Sequence, residues 1–185
     1  MVTSRTKWLS GILCALVISG AVGGAVYYYS QPQARIYEFQ DERDFADVKK
    51  LVEDNWYWLI ESKDYQIDFA LKNRAPSHKD PKYFGKLKIN VLRKDDEFIG
   101  FVAYYKKSFF EGTVLFLAIR QEMRGKRYAP ELLNYALKQL KNEGAIYATL
   151  VTRPSNLSAQ AVYTRAGFTE TGRDETYVYY EKSLE

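Results

Sequence analysis

The stretch Asn156-Leu157-Ser158-Ala159-Gln160-Ala161-Val162-Tyr163-Thr164-Arg165-Ala166-Gly167-Phe168 decides what this chain folds into. Pro154-Ser155 opens it, and 156–166 is expected to be a helix. The apolar run 146–152 before it is expected to be a strand. Upstream again, Ala129, Leu132, Leu133, Ala136, Leu137 and Leu140 recur at the i, i+3, i+4, i+7 spacing of one apolar helix face, which predicts a helix over 130–142. Pro130 and Glu131 suit its first turn, Lys138 and Lys141 its last, and Gly144 ends it. The nearly continuous apolar run 114–119 predicts a strand covered on both faces.

Between that strand and helix runs Arg120-Gln121-Glu122-Met123-Arg124-Gly125-Lys126-Arg127-Tyr128-Ala129. A strand that delivers a basic, glycine-containing turn to a helix N-terminus presents unpaired N–H groups and the positive dipole end, for which phosphate oxygens are the natural ligand. A solvated basic loop is the plainer alternative. Further upstream, 88–92 and 98–105 alternate around Lys94-Asp95-Asp96 and predict a hairpin. Residues 61–87 are polar, hold Pro76 and Pro81, and suggest only a loop. Asp41 to Asp44 are cap-type residues before a helix over about 45–60, and 36–39 is a short strand. With a terminal strand at 176–180, the expected order is β–α–(loop)–β–β–β–α–β–α–β, an α/β (α+β) mixed-sheet domain over 36–185.

Residues 8–29 contain no charge, and at about 1.5 Å per residue they match the roughly 30 Å hydrocarbon core. Arg5 and Lys7 in the 1–7 tail precede the segment, while Trp8 and Tyr27 to Tyr29 mark its ends as interfacial aromatics do. A single transmembrane anchor is the leading expectation; a cleaved signal peptide and a buried core helix are the alternatives. Residues 30–35, with Pro32, form a linker. Of the 27 basic residues three precede residue 36, leaving 24 against 23 acids, so the soluble part lacks the footprint of a nucleic-acid binder. The lone Cys14 allows neither an intrachain disulfide nor a Cys-based zinc site. No metal is expected.

Two of these segments together resemble the GNAT acetyltransferase superfamily. Residues 156–168 match its N-x-x-A-x-x-x-Y-x-x-x-G-F element at every key offset, and 124–129 looks like its R/Q-x-x-G-x-G/A pyrophosphate loop. Glu97 to Ala103 is similar to its third strand, and the likeness extends over about 36–182. The resemblance implies a GNAT-like fold that binds acetyl-CoA and an amine acceptor. It implies that the amides of Gly125, Lys126, Arg127, Tyr128 and Ala129, with Arg124, cradle the pyrophosphate. The strand bearing Leu117 and Ile119 would pair with the pantetheine arm and splay from the next strand, Asn156 would line the slot, and Tyr163 would be the general acid to the departing thiolate.

Arg127 stands where that loop usually has its middle glycine, so its side chain must turn outward or clamp phosphate. Tyr163 on its own is an ordinary amphipathic aromatic, the default among 16 tyrosines. Glu111, Glu122, Asp174 and Glu175 are unranked candidates for the amine proton, and His78 has no assigned role. The expected activity is direct acetyl transfer to a primary amine; the alternative is a non-catalytic, membrane-bound module that binds acyl-CoA or a partner. The flanking charges favour an external domain, whereas the cellular location of acetyl-CoA favours the cytoplasmic face, which is the expected side of a single-pass membrane protein.

Overall fold

Asp95 and Asp96 have positive φ values of 50° and 63°, the two-residue turn whose twist suits a tight hairpin. It joins β2 (Lys88–Lys94) to β3 (Glu97–Lys106). The computed structural model describes residues 33–60, 64–77 and 85–185, and its domain unit spans Ala34–Glu185. Around the hairpin lie β1 (Arg35–Glu38), β4 (Glu111–Ile119), β5 (Tyr147–Thr152), β6 (Thr169–Arg173) and β7 (Val178–Ser183). They form one sheet in the order β1-β2-β3-β4-β5-β7-β6. All neighbours are antiparallel except β4 and β5, which run parallel.

The five α-helices of the described residues are α1 (Asp41–Asp54), α2 (Trp56–Leu59), α3 (Ile67–Asn73), α4 (Tyr128–Asn142) and α5 (Leu157–Arg165). Helices α1 and α3 cover one face through Val48, Leu51, Val52, Ala70 and Leu71, packed with Val91, Phe101 and Phe116. The other face carries α4 and α5: Leu132, Leu133, Leu137 and Leu140 of α4 meet Val102, Val114, Leu150 and Tyr180 there. Burying each of those leucines favours the fold by about 1.5–3 kcal/mol. The predicted apolar stripe of this helix is the buried one.

A buried ion pair fixes α1 to β2. Asp44, fully buried, accepts from Arg93 Nε at 3.0 Å and from Arg43 Nε at 2.8 Å, and the Gln40 amide adds a third bond at 2.8 Å. Burial alone would raise the Asp44 carboxyl; the bonds from Arg43, Gln40 and Arg93 outweigh it and hold the group below the ordinary carboxylate value.

Four expectations need correction. The first helix begins at Asp41, not near Phe45, because Asp41, Glu42 and Asp44 are first-turn acids facing the helix dipole. It also breaks at Asn55 before the short α2 instead of running to Ile60. The loop expected over 61–87 contains α3, whose Ile67, Ala70 and Leu71 keep a helical stripe too short to stand out. A seventh strand, β6, was missed because Thr-Glu-Thr-Gly-Arg is a polar, solvent-facing edge. Among the described residues no helix is long and apolar enough to cross a membrane; the anchor expected at 8–29 lies outside the described residues.

Candidate active site

The site starts from a failure of pairing. Strands β4 and β5 pair only at Glu111↔Tyr147, Gly112↔Ala148 and Thr113↔Thr149, then separate. The register of β4 against β3 slips between Val114 and Phe116, leaving Leu115 as an extra residue; such a bulge bends its strand. From Val114 to Ile119 the β4 edge turned toward β5 has no strand partner, so its N–H and C=O groups are open to an extended ligand. A cavity of about 1120 Å³ fills the gap, lined by both strands, by the segment after β4 and by α5. It lies at the carboxyl ends of two parallel strands, where such folds place ligands. Leu117 and Ile119 both line it.

The floor of one end is the turn into α4. After a short 3₁₀ turn (Gln121–Met123), Gly125 has φ 79° and Arg127 φ 65°, and α4 follows with no side-chain cap. The first-turn amides of α4 therefore stay available beside the positive end of its dipole. An L-residue in this conformation costs about 1–2 kcal/mol, so Arg127 keeps the backbone shape that glycine would take freely. Its exposed side chain makes no hydrogen bond to a described residue, which leaves the guanidinium free for an anion. Arg124 is engaged: Nε donates to the Ile119 carbonyl at 3.1 Å and Nη2 to Asn55 Oδ1 at 2.8 Å. Lys126 lies outside, its Nζ at 3.6 Å from Met123 Sδ. Gly125, Arg127, Tyr128 and Ala129 line the cavity with Arg124.

At the other wall, Asn156 caps α5, its Oδ1 accepting from the Ala159 amide at 3.2 Å. Asparagine is favoured there because that bond satisfies an orphan donor. The cap fixes where α5 starts and so where Tyr163, two turns on, points. Tyr163 is 8% exposed, packed edge-on against Tyr180 and tilted on Phe168. Its hydroxyl bonds no described residue and its side chain borders the cavity. Burial, with a smaller push from Tyr180, raises the phenol to about 12.

None of the four carboxylates proposed from sequence lines the cavity. Glu111 sits at the closed end of the β4–β5 fork, accepting from Lys107 Nζ at 3.0 Å and Thr149 Oγ1 at 2.9 Å. Glu122 pairs with Arg120. Asp174 accepts from the Tyr179 hydroxyl and the Thr176 and Tyr177 amides, each at 2.7 Å, and Glu175 is solvent-exposed.

Sequence reasoning missed Arg153, the first residue past β5. Its Nε donates to the Tyr57 carbonyl at 2.6 Å and Nη2 to the Ile60 carbonyl at 3.3 Å, across the mouth of the cavity. Its position directly after a parallel strand was the signal available. Tyr65, Tyr105, Tyr177 and Tyr179 also border the cavity and belong to no motif.

Comparison with known proteins gives a consistent result. The family model described as the acetyltransferase (GNAT) family matches residues 27–168. Among solved structures, Ard1 from Thermoplasma volcanium superposes with a TM-score of 0.65 at 17% identity, covering 82% of this chain and 98% of that one. Spermidine N-acetyltransferase from Vibrio cholerae, in complex with CoA and spermine, gives 0.65 at 17% identity over 82% and 96%. PaiA N-acetyltransferase from Thermoplasma acidophilum, in complex with coenzyme A, gives 0.62 at 20% identity over 82% and 99%. At these identities the three show a shared fold alone. No curated protein sequence matches.

Proposed function

Because this chain belongs to the GNAT acetyltransferase family, we propose that it transfers the acetyl group of acetyl-CoA to a primary amine by direct attack. The observation that carries the proposal is the fork of β4 and β5 beyond Thr113 and Thr149, with Tyr163 among the residues that line the cavity there. The free edge at Leu117 and Ile119 offers ladder hydrogen bonds to an extended pantetheine arm. The amides from Gly125 to Ala129, in the turn and at the start of α4, and the Arg127 guanidinium suit a pyrophosphate. Asn156 holds α5 in register beside them.

Acetyl-CoA supplies a thioester carbonyl open to a nucleophile. The neutral amine nitrogen forms the C–N bond, the C–S bond breaks, the Tyr163 hydroxyl gives its proton to the sulfur, and the proton shed by the acylated nitrogen returns through solvent to the phenolate. A phenol raised to about 12 stays protonated across the working pH range and is therefore always ready to donate. No covalent link to the protein is needed.

Residues 8–29 are proposed to tether the domain to a membrane, with the domain on the cytoplasmic face where acetyl-CoA is made. The full chain should float with liposomes, and a chain lacking residues 1–33 should not; equal flotation would remove the tether. For catalysis, the full chain is incubated with acetyl-CoA and a broad amine panel while thiol release is followed. Amine-dependent release supports acyl transfer. Tight CoA binding by calorimetry with no release from any amine would instead mark a binding module.

A further inference from the structure

On the sheet face covered by α1 and α3 the cavity is bordered by Leu59, Ile60 and Tyr65, a lining different from that of the cofactor end. On β5 the side chains of Ala148, Leu150 and Thr152 are buried, while Val151 is exposed; on β7, Val178 and Tyr180 are buried while Tyr179 is exposed. Alternation therefore puts Val151 and Tyr179 on the second face. Both line the cavity together with Tyr65, which is packed edge-on against Phe116 at 5.6 Å between centroids. Arg153 arches over the opening, its guanidinium carbon 4.6 Å from the Tyr57 ring centroid and 5.3 Å from that of Tyr177.

Three facts bear on what enters. Among the described residues Arg153 has no carboxylate partner: Nε and Nη2 are held by backbone carbonyls, which position the fork without neutralising it, and Nη1 bonds none of them. No aspartate, glutamate or histidine stands among the described residues that line the cavity, whereas Lys107 and Arg153 do so at this end. One face each of the Tyr57 and Tyr177 rings, where a polycation could stack, is taken by Arg153. A planar guanidinium fixed by its neighbours and short of an anion is suited to a carboxylate, and the surrounding rings are suited to a flat apolar body.

We infer that the acceptor is an amine that also carries a carboxylate, an aromatic amino acid in its simplest form, with the carboxylate seated on Arg153 and the ring among Tyr65, Val151 and Tyr179. This rests on the acyl-transfer reading above and adds the acceptor class.

The test uses matched pairs that differ only in the carboxylate. L-Tyrosine is compared with tyramine, and L-tryptophan with tryptamine, as acceptors for the full chain with acetyl-CoA, with spermidine as a polycation. The expected kcat/KM is at least tenfold higher for each amino acid than for its decarboxylated partner, with spermidine lowest. Arg153→Met should collapse that ratio toward one through KM, and Arg153→Lys should restore part of it. Because the ratio compares two acceptors on one protein, a general loss of folding does not move it. A wild-type ratio at or below one, a preference for spermidine, or a ratio unchanged by Arg153→Met overturns the inference and leaves acyl transfer standing. No thiol release with any of the five amines overturns the inference; release with another member of the broad amine panel then leaves acyl transfer standing, and no release there overturns both.

Discussion

Replacing Tyr163 by phenylalanine removes one oxygen from a side chain that is 8% exposed and leaves its packing on Phe168 and Tyr180 in place. The hydroxyl has no described hydrogen-bond partner, so its removal orphans nothing, and the unliganded protein should change in stability by less than about 1 kcal/mol. Catalysis is another matter. The phenol, at about 12, lies three to four pKa units above a free thiol at ~8.5, so complete proton transfer to a free thiolate would be uphill by about 5 kcal/mol. The hydroxyl therefore acts as charge grows on sulfur, and its loss should lower kcat by about 10²–10⁴, or about 3–5 kcal/mol of barrier. Thermal melting, calorimetry with CoA and stopped-flow thiol release measure the three quantities. A Tyr163→Phe protein with unchanged kcat, or with CoA affinity lost in step with kcat, would refute the acid role.

Four further outcomes are expected. Asn55→Ala should release Arg124 from its 2.8 Å bond; if Arg124 serves the pyrophosphate, CoA affinity measured calorimetrically rises severalfold, and a fall would contradict that role. Arg127→Val should be less stable than Arg127→Gly by about 1–2 kcal/mol in chemical denaturation, because φ of 65° disfavours a β-branched residue. Gly100→Ala would press its methyl on the Ala118 carbonyl and Ile119; prying β3 from β4 should cost about 3 kcal/mol and lower Tm by several degrees. Asp44→Ala removes the buried carboxylate shared by Arg43 and Arg93, while Arg93 keeps Asp47 at 2.8 Å, so the cost should be about 1–3 kcal/mol. Since the folded Asp44 carboxyl is depressed, its contribution is present above the ordinary aspartate value near 3.9 and is lost as pH falls through the lower folded value. Acid denaturation of the variant should lack that step.

How much of this was legible depended on whether a local rule survives the fold. The stripe of α4 and the Asn156 cap are local: their spacing is the same in the sequence and in space. The turn from Gly125 into α4 was legible for the same reason, although Arg127 had hidden the left-handed residue that glycine would have signalled. The far end of the cavity was not. Arg153 meets Tyr57 and Ile60 from more than 90 residues away, and Tyr65 finds Phe116 across the sheet. Nothing in the spacing of these residues marks them. Three of the four candidate acids fell away because their own neighbours hold them or solvent surrounds them: Glu122 by Arg120, Asp174 by its own turn, and Glu175 in solvent. Glu111, at the closed end of the fork, is held by Lys107 and Thr149.

The missing base has a physical answer in the same burial that weakens the acid. Burial moves the Tyr163 phenol from 10 to about 12 by penalising its charged form. For an amine the charged form is the protonated one, so an equal penalty acts in the opposite direction. An acceptor amine at the fork is held below its value in water, so a larger share of it is neutral near pH 7. Arg153, bordering the cavity, adds to the penalty on a second cation. The proton can then leave to solvent before attack, with no side chain poised to take it. The consequence is a one-sided pH profile: kcat/KM climbs through the lowered amine value and does not turn down before the phenol ionises. A bell whose upper limb fell near neutral pH would place another titrating group in the reaction and overturn this account.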